Sequence, residues 1–161
     1  MILFGVLAIL VLCFGLVVSI GAPYLPTLKP QAEAAFELLD LKKGQTLYEL
    51  GSGDGVMLIL AAKRGIKAIG YEINPILFGI SWLRTRRYRS LVQVRFDNFW
   101  RADISDADGI FVFLHTRFMQ KLHKKVIESK QDKVIKVVSF AFKIPGKTVD
   151  QSRGAVYLYT Y

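Results

Sequence analysis

The first 28 residues contain no Lys, Arg, Asp or Glu, and "MILFGVLAILVLCFGLVVSI" is nearly unbroken apolar sequence. At about 1.5 Å rise per residue, about 20 such residues span a bilayer core of about 30 Å. Residues 1–21 therefore read as a transmembrane anchor. A cleaved signal peptide and a buried core helix remain as other readings. "GAPYLPTLKP" supplies three prolines and a glycine, so residues 22–30 read as a stiff linker. After it the pattern alternates. "QAEAAFELLDL" has helical apolar spacing, and "TLYEL" is a short apolar strand. "VMLILAAKR" predicts a helix ended by Gly65, and "KAIGYEI" a second strand. "PILFGISWLRTRRYR" opens with proline and closes in a basic cluster, as a helix does. "VQVRF" alternates, whereas "GIFVFL" is apolar throughout and reads as a strand buried on both faces. "RFMQKLHKKVIES" is amphipathic, "VIKVVSFAF" is a fifth strand and "AVYLYTY" a sixth.

Strands alternating with helices predict an α/β domain over residues 31–161. Its sheet is mostly parallel, with helices on both faces and right-handed crossovers. After Pro145 about 16 residues remain, which is cramped for a closing hairpin. "KTVD" is the candidate for an abbreviated strand there.

Charge refines this picture. The whole net charge of +9 falls after Leu28. Lys29, Lys42 and Lys43 follow the apolar run, so the positive-inside rule places the domain in the cytoplasm as a single-pass membrane protein. Cys13 is the single cysteine, inside the apolar run. His115 and His123 are too few for a typical zinc site, and no metal is expected.

The candidate chemistry sits in "ELGSGDG". A glycine-rich corner between strand and helix is common and often only structural. Here it follows the first strand and opens into a helix whose free N–H groups face any ligand. Its spacing is G-x-G-x-G rather than the G-x-G-x-x-G of a dinucleotide loop. Glu49 precedes it and Asp54 lies within it; acids on both sides suit a cationic ligand better than a pyrophosphate. Glu72 follows Gly55 by 17 residues, at the end of the second strand. A carboxylate there can accept both hydroxyls of a ribose. Asp97, in "RFDNFW" at the end of the third strand, can accept from an adenine amino group. Each acid has a plainer alternative as a cap or a half-exposed strand residue. Their order on three consecutive strand ends, where ligands of open α/β sheets sit, favours the site.

"ELGSGDG", "GYEINP", "FDNFW" and "VVSFAFKIPG" together resemble the seven-stranded, S-adenosylmethionine-dependent methyltransferases. The similarity is greatest to the small archaeal protein-lysine methyltransferases and their mitochondrial relatives, which modify the adenine nucleotide translocase and the ATP synthase c-subunit. The resemblance implies a Rossmann-like methyltransferase fold with S-adenosylmethionine as cofactor. Its substrate would be a protein lysine, with membrane proteins among the candidates. It further implies that Glu49, Gly51, Ser52, Gly53, Asp54 and Gly55 form the first cofactor motif. Glu72 would be the ribose acid, and Asp97 with Asn98 the adenine contact. Asp108, before "GIFVFL", falls in the region of the fourth motif, beside the methyl-transfer centre. "FLHTRF" stands where base and amide methyltransferases carry N-P-P-Y, which argues against those acceptors.

No general base is identifiable. His115 lies near the methyl or faces solvent, and Phe140 and Phe142 wall an acceptor channel or belong to the core. A small-molecule or lipid methyltransferase, of quinone type for instance, stays open as an alternative function, as does a non-catalytic cofactor-binding module. The basic runs "RTRRYR" and "KLHKK" read as a solvated face or as an attraction to anionic lipid. No recognised RNA-binding module accompanies them, so nucleic acid is not expected as a partner.

Overall fold

The computed structural model describes Phe4, Gly5 and residues 27–161. The anchor expected over 1–21, and most of the linker over 22–30, lie outside the described residues. Among the described residues no helix is long and apolar enough to cross a membrane.

The linker ends earlier than expected. Helix α1 spans Lys29–Leu39, with proline in its first turn, where a missing N–H costs nothing. It stops at Asp40, which takes a left-handed φ of 43° and donates its N–H to the Phe36 carbonyl. The remaining elements alternate. They are β1 (Thr46–Leu50), α2 (Val56–Lys63), β2 (Lys67–Glu72), α3 (Pro75–Thr85), β3 (Val92–Phe96), β4 (Gly109–Val112), α4 (Thr116–Ser129), β5 (Lys136–Phe140), β6 (Gln151–Arg153) and β7 (Val156–Thr160). A 3₁₀ turn, Arg86–Tyr88, extends α3, so the basic cluster leaves the regular helix. Another, Phe99–Arg101, follows β3.

The seven strands form one sheet in the order β3-β2-β1-β4-β5-β7-β6. Five run parallel, and β7 enters antiparallel between β5 and β6. The sequence order reverses between β1 and β4, which puts a crevice at their carboxyl ends. Two expectations for the far edge are corrected. A full hairpin fits, because Gly154, at φ 56°, turns the chain within two residues. "KTVD" is loop. The extra strand is Gln151–Arg153, exposed throughout and therefore without the apolar alternation that marks a strand.

Alternating strand residues build two cores. Leu47, Phe111, Val138 and Leu158 face α1 and α2. Tyr48, Ile110, Val137 and Tyr159 face α4. Helix α3 lies beside α2, over β2 and β3.

Candidate active site

The glycine loop is clamped to the end of β2. Gly51 and Ser52 both donate their N–H groups to the Tyr71 carbonyl, at 3.0 and 2.8 Å. Gly53 donates to Glu72 Oε2 at 2.8 Å. The loop needs its glycines: Gly51, Gly53 and Gly55 have φ of 97°, 52° and 80°. These are values that disfavour any side chain. A Cβ on Gly55 would also lie 2.5 Å from Ser81 Oγ, so α3 closes against the loop there. A Cβ on Gly51 would meet nothing within 4 Å, so this backbone borders open space. Ser52 is buried, and its hydroxyl has no partner among the described residues.

Two carboxylates are buried beneath the loop, Glu49 at 5% exposure and Glu72 at 7%. Glu49 Oε2 has no hydrogen-bond partner among the described residues. Burial, and then the charges of Asp54 and Glu72, push its pKa well above the usual carboxylate value. Burial also raises Glu72, against the N–H groups of Asn74, Gly53 and Ile73 that favour its charged form. An orphaned, buried acid beside a second one is a costly arrangement for an empty pocket. It suits a ligand carrying positive charge.

Two readings of the acids change. Asp54 is paired with Arg84, so its charge is offset within the chain. Glu72 is not a bare ribose acceptor: Oε2 holds Gly53, and Oε1 takes the Asn74 N–H at 2.7 Å. Each oxygen keeps a second lone pair, so the carboxylate can organise the loop and still meet a hydroxyl. Asn74 in turn caps α3, its Oδ1 accepting from Ile76 and Leu77.

Asp97 is exposed at the end of β3 and accepts the Asn98 N–H at 2.6 Å. The Asn98 side chain caps the 3₁₀ turn through the Trp100 N–H at 3.1 Å. Both therefore stand at the carboxyl edge, on the β2–β3 side of the crevice.

Asp108 is a correction. It precedes β4 and so lies at the amino end of this parallel strand, opposite the crevice. Its Oδ2 accepts the Thr46 N–H at 2.7 Å and its Oδ1 faces Lys133 at 3.5 Å. It ties β1 to β4 and stands away from the crevice.

At the carboxyl ends of β4 and β5 stands an aromatic group. Phe113 lies 4.7 Å from Phe140 and 6.4 Å from Phe142, and His115 lies 5.4 Å from Phe142. His115 is exposed and caps α4, accepting the Arg117 N–H. Phe140 packs against the α1–α2 core and Phe142 against the α4 core, both near Phe113, and a turn that the sequence did not announce parts them. Ala141 has φ 67°, and Phe142 donates to the Phe140 carbonyl at 2.9 Å, which is a γ-turn. The buried Ser139 locks it by donating to the Phe142 carbonyl at 2.6 Å. Strain of this kind persists only where surrounding structure imposes it. It also explains why β5 ends at Phe140 rather than at Phe142.

The sheet order, the clamped glycine loop and the buried acids define an S-adenosylmethionine-dependent methyltransferase domain. The chain belongs to the family of the ANTKMT methyltransferase domain, whose sequence pattern matches residues 49–151. It is 31% identical to the human lysine N-methyltransferase of the ATP synthase c-subunit, over 82% of this chain and 57% of that one. The chain thus spans a little over half the length of that relative. It is 31% identical to a protein-lysine N-methyltransferase of Saccharolobus islandicus, over 77% of this chain and 79% of that one. A solved RNA methyltransferase from Salinibacter ruber, in complex with S-adenosyl-L-homocysteine, superposes with a TM-score of 0.79 at 31% identity. The match covers 84% of this chain and 93% of that one. The cofactor is S-adenosylmethionine, and the orphaned Glu49 and the open face of Gly51 fit it.

Proposed function

We propose that the domain methylates the Nζ of a lysine in a protein. The observation that carries the reading is the aromatic wall of Phe113, Phe140 and Phe142, held by the γ-turn at the carboxyl ends of β4 and β5. The names of the two lysine methyltransferase relatives support it. When bound, S-adenosylmethionine supplies an electrophilic methyl on a sulfonium. In this reading Glu49 and Glu72 oppose the cofactor's positive charge and its ribose hydroxyls, Gly51 to Gly55 pass beneath it, and Asp97 with Asn98 meets the adenine. The acceptor lysine must first lose its proton, from an ordinary pKa of about 10.4. Loss of water around the amine disfavours the ammonium and lowers that value. The wall therefore desolvates and aligns the amine, and no side chain is required as a dedicated base. Phe113, Phe140 and Phe142 would hold the neutral amine toward the methyl that the cofactor would supply, and the proton lost from the lysine beforehand would pass to water.

The apolar run over 1–21 and the basic residues after it support a membrane-anchored enzyme with its domain on the cytoplasmic side, and so a membrane protein as substrate. A second reading, methylation of RNA, is favoured by the name of the Salinibacter ruber protein and by the net charge of +9. Incubating the chain with methyl-tritiated cofactor and a whole extract separates the readings. Label in protein, recovered as methyllysine after hydrolysis, supports the proposal. Label in RNA or in the organic phase replaces it with the RNA reading or with the small-molecule and lipid one.

A further inference from the structure

Helix α3 is built inside out. The residues it buries fully are Ser81 and Thr85, both polar. Its outward side is apolar: Ile76, Ile80 and Leu83 are 49%, 42% and 53% exposed, and Trp82 beside them is 59% exposed. Ile76, Ile80 and Leu83 stand at i, i+4 and i+7, so they form one stripe. The inversion has a local cause on the inner side. Gly55 of the cofactor loop presses on Ser81, leaving no room there for a large side chain. Nothing local explains the outer side, where water would select charged residues.

The stripe runs directly into a basic end. Arg86, Arg87 and Arg89 follow it, all exposed. A groove of about 440 Å³ lies between the carboxyl ends of α2 and α3, lined by Lys63, Arg84, Arg86 and Arg87 with Leu83 and Tyr88. Lys63, Arg86 and Arg87 around an apolar floor, with Arg84 already paired to Asp54, next to an exposed apolar stripe with a tryptophan at its margin, match an interfacial helix on an anionic bilayer. The apolar residues would enter the acyl boundary, Trp82 would sit at headgroup level and the groove would take a lipid phosphate.

We infer that α3 and the adjoining basic groove dock the domain on an anionic membrane surface. The occupant is the phosphate-bearing headgroup layer of the bilayer. Acidic lipid complements the arginines, whereas a second copy of this chain would bring another basic face against them. The inference is independent of which acceptor is methylated.

Tryptophan fluorescence tests it, because the chain has only Trp82 and Trp100. Trp100 packs with the α4-side core, on the opposite face of the sheet. The full chain is placed in phosphatidylcholine vesicles with and without phosphatidylglycerol, with brominated phosphatidylcholine as quencher. Trp82 is expected to be quenched when phosphatidylglycerol is present, and Trp82→Phe to lose most of that quenching. Reversing Arg86 and Arg87 together to Glu is expected to weaken the phosphatidylglycerol-dependent component about tenfold or more, since each basic residue near such a surface contributes on the order of a fivefold attraction. Both variants are expected to bind S-adenosylmethionine as the wild type does, which shows that they fold. Quenching equal in the wild type and Trp82→Phe overturns the inference. So does Trp82 open to aqueous acrylamide in the vesicles. Trp82 shielded from acrylamide but untouched by bromolipid also overturns it, because a protein surface or RNA then covers the helix.

Discussion

Gly53 and Glu72, 19 positions apart, are joined by a hydrogen bond of 2.8 Å from the loop N–H to the carboxylate. The residue expected to meet the cofactor's ribose also holds the shape of the loop beneath the cofactor. Glu72→Gln replaces one of two accepting oxygens with a donor that must face an N–H. The loss of a charge-assisted hydrogen bond predicts a stability drop of about 1–3 kcal/mol. The affinity for S-adenosylmethionine is expected to fall about 10- to 100-fold. Thermal melts and calorimetry read the two effects separately.

Glu49 gives a pH dependence. Its folded pKa stands above the unfolded value, near 4.5, chiefly because it is buried. Between those two values the folded chain holds a proton that the unfolded chain releases. Stability of the cofactor-free domain therefore falls as pH rises from about 4.5 through the folded pKa. Glu72 is raised in the same direction and adds to the slope. Glu49→Gln is expected to flatten the slope and to melt higher than the wild type above neutral pH without cofactor. It should also bind S-adenosylmethionine more weakly. Melting temperatures across pH, with and without cofactor, check both outcomes.

The turn at Ala141 is the third test. A left-handed conformation costs a non-glycine residue about 1–2 kcal/mol, part of which glycine returns through unfolded-state entropy. Ala141→Gly is expected to raise stability by about 0.5 kcal/mol and to leave cofactor affinity unchanged. The rate of methyl transfer should fall, because Phe140 and Phe142 are then held less firmly. A variant with wild-type rate would remove the γ-turn from the account.

Asp108 separates the two ends of the sheet. Asp108→Ala leaves the Thr46 N–H without its acceptor and is expected to destabilise the fold by about 1–3 kcal/mol. Cofactor affinity in the folded fraction, measured by calorimetry, should not change.

These residues also show what the sequence could carry. The alternation of Leu47 with Tyr48, or of Val137 with Val138, follows from the two-residue strand period, so sheet and core were legible. That Gly51, Gly53, Gly55, Glu49 and Glu72 meet at one corner was legible because the loop and strand ends lie close along the chain. The ion pair of Asp54 with Arg84 spans 30 positions and leaves no local trace. Asp108 was misplaced because motif order outweighed chain direction: a residue preceding a parallel strand stands at its amino end. Strand β6 escaped notice because an exposed edge strand of Gln, Ser and Arg has no apolar period. The γ-turn at Ala141 depends on Ser139 and on the neighbouring β7, not on a turn-forming residue. Helix α3 was legible as a helix, but apolar spacing alone does not say which side faces out.

The crevice over Glu49, Gly51 and Glu72 is expected to hold S-adenosylmethionine. Calorimetric titration of the full chain with this cofactor, beside a parallel titration with NAD, decides the matter. Saturable binding of S-adenosylmethionine, weakened in Glu72→Gln, is expected, with no heat from NAD. A chain that is folded by circular dichroism yet gives no heat and no change in melting temperature with S-adenosylmethionine, or that binds NAD in its place, would contradict it.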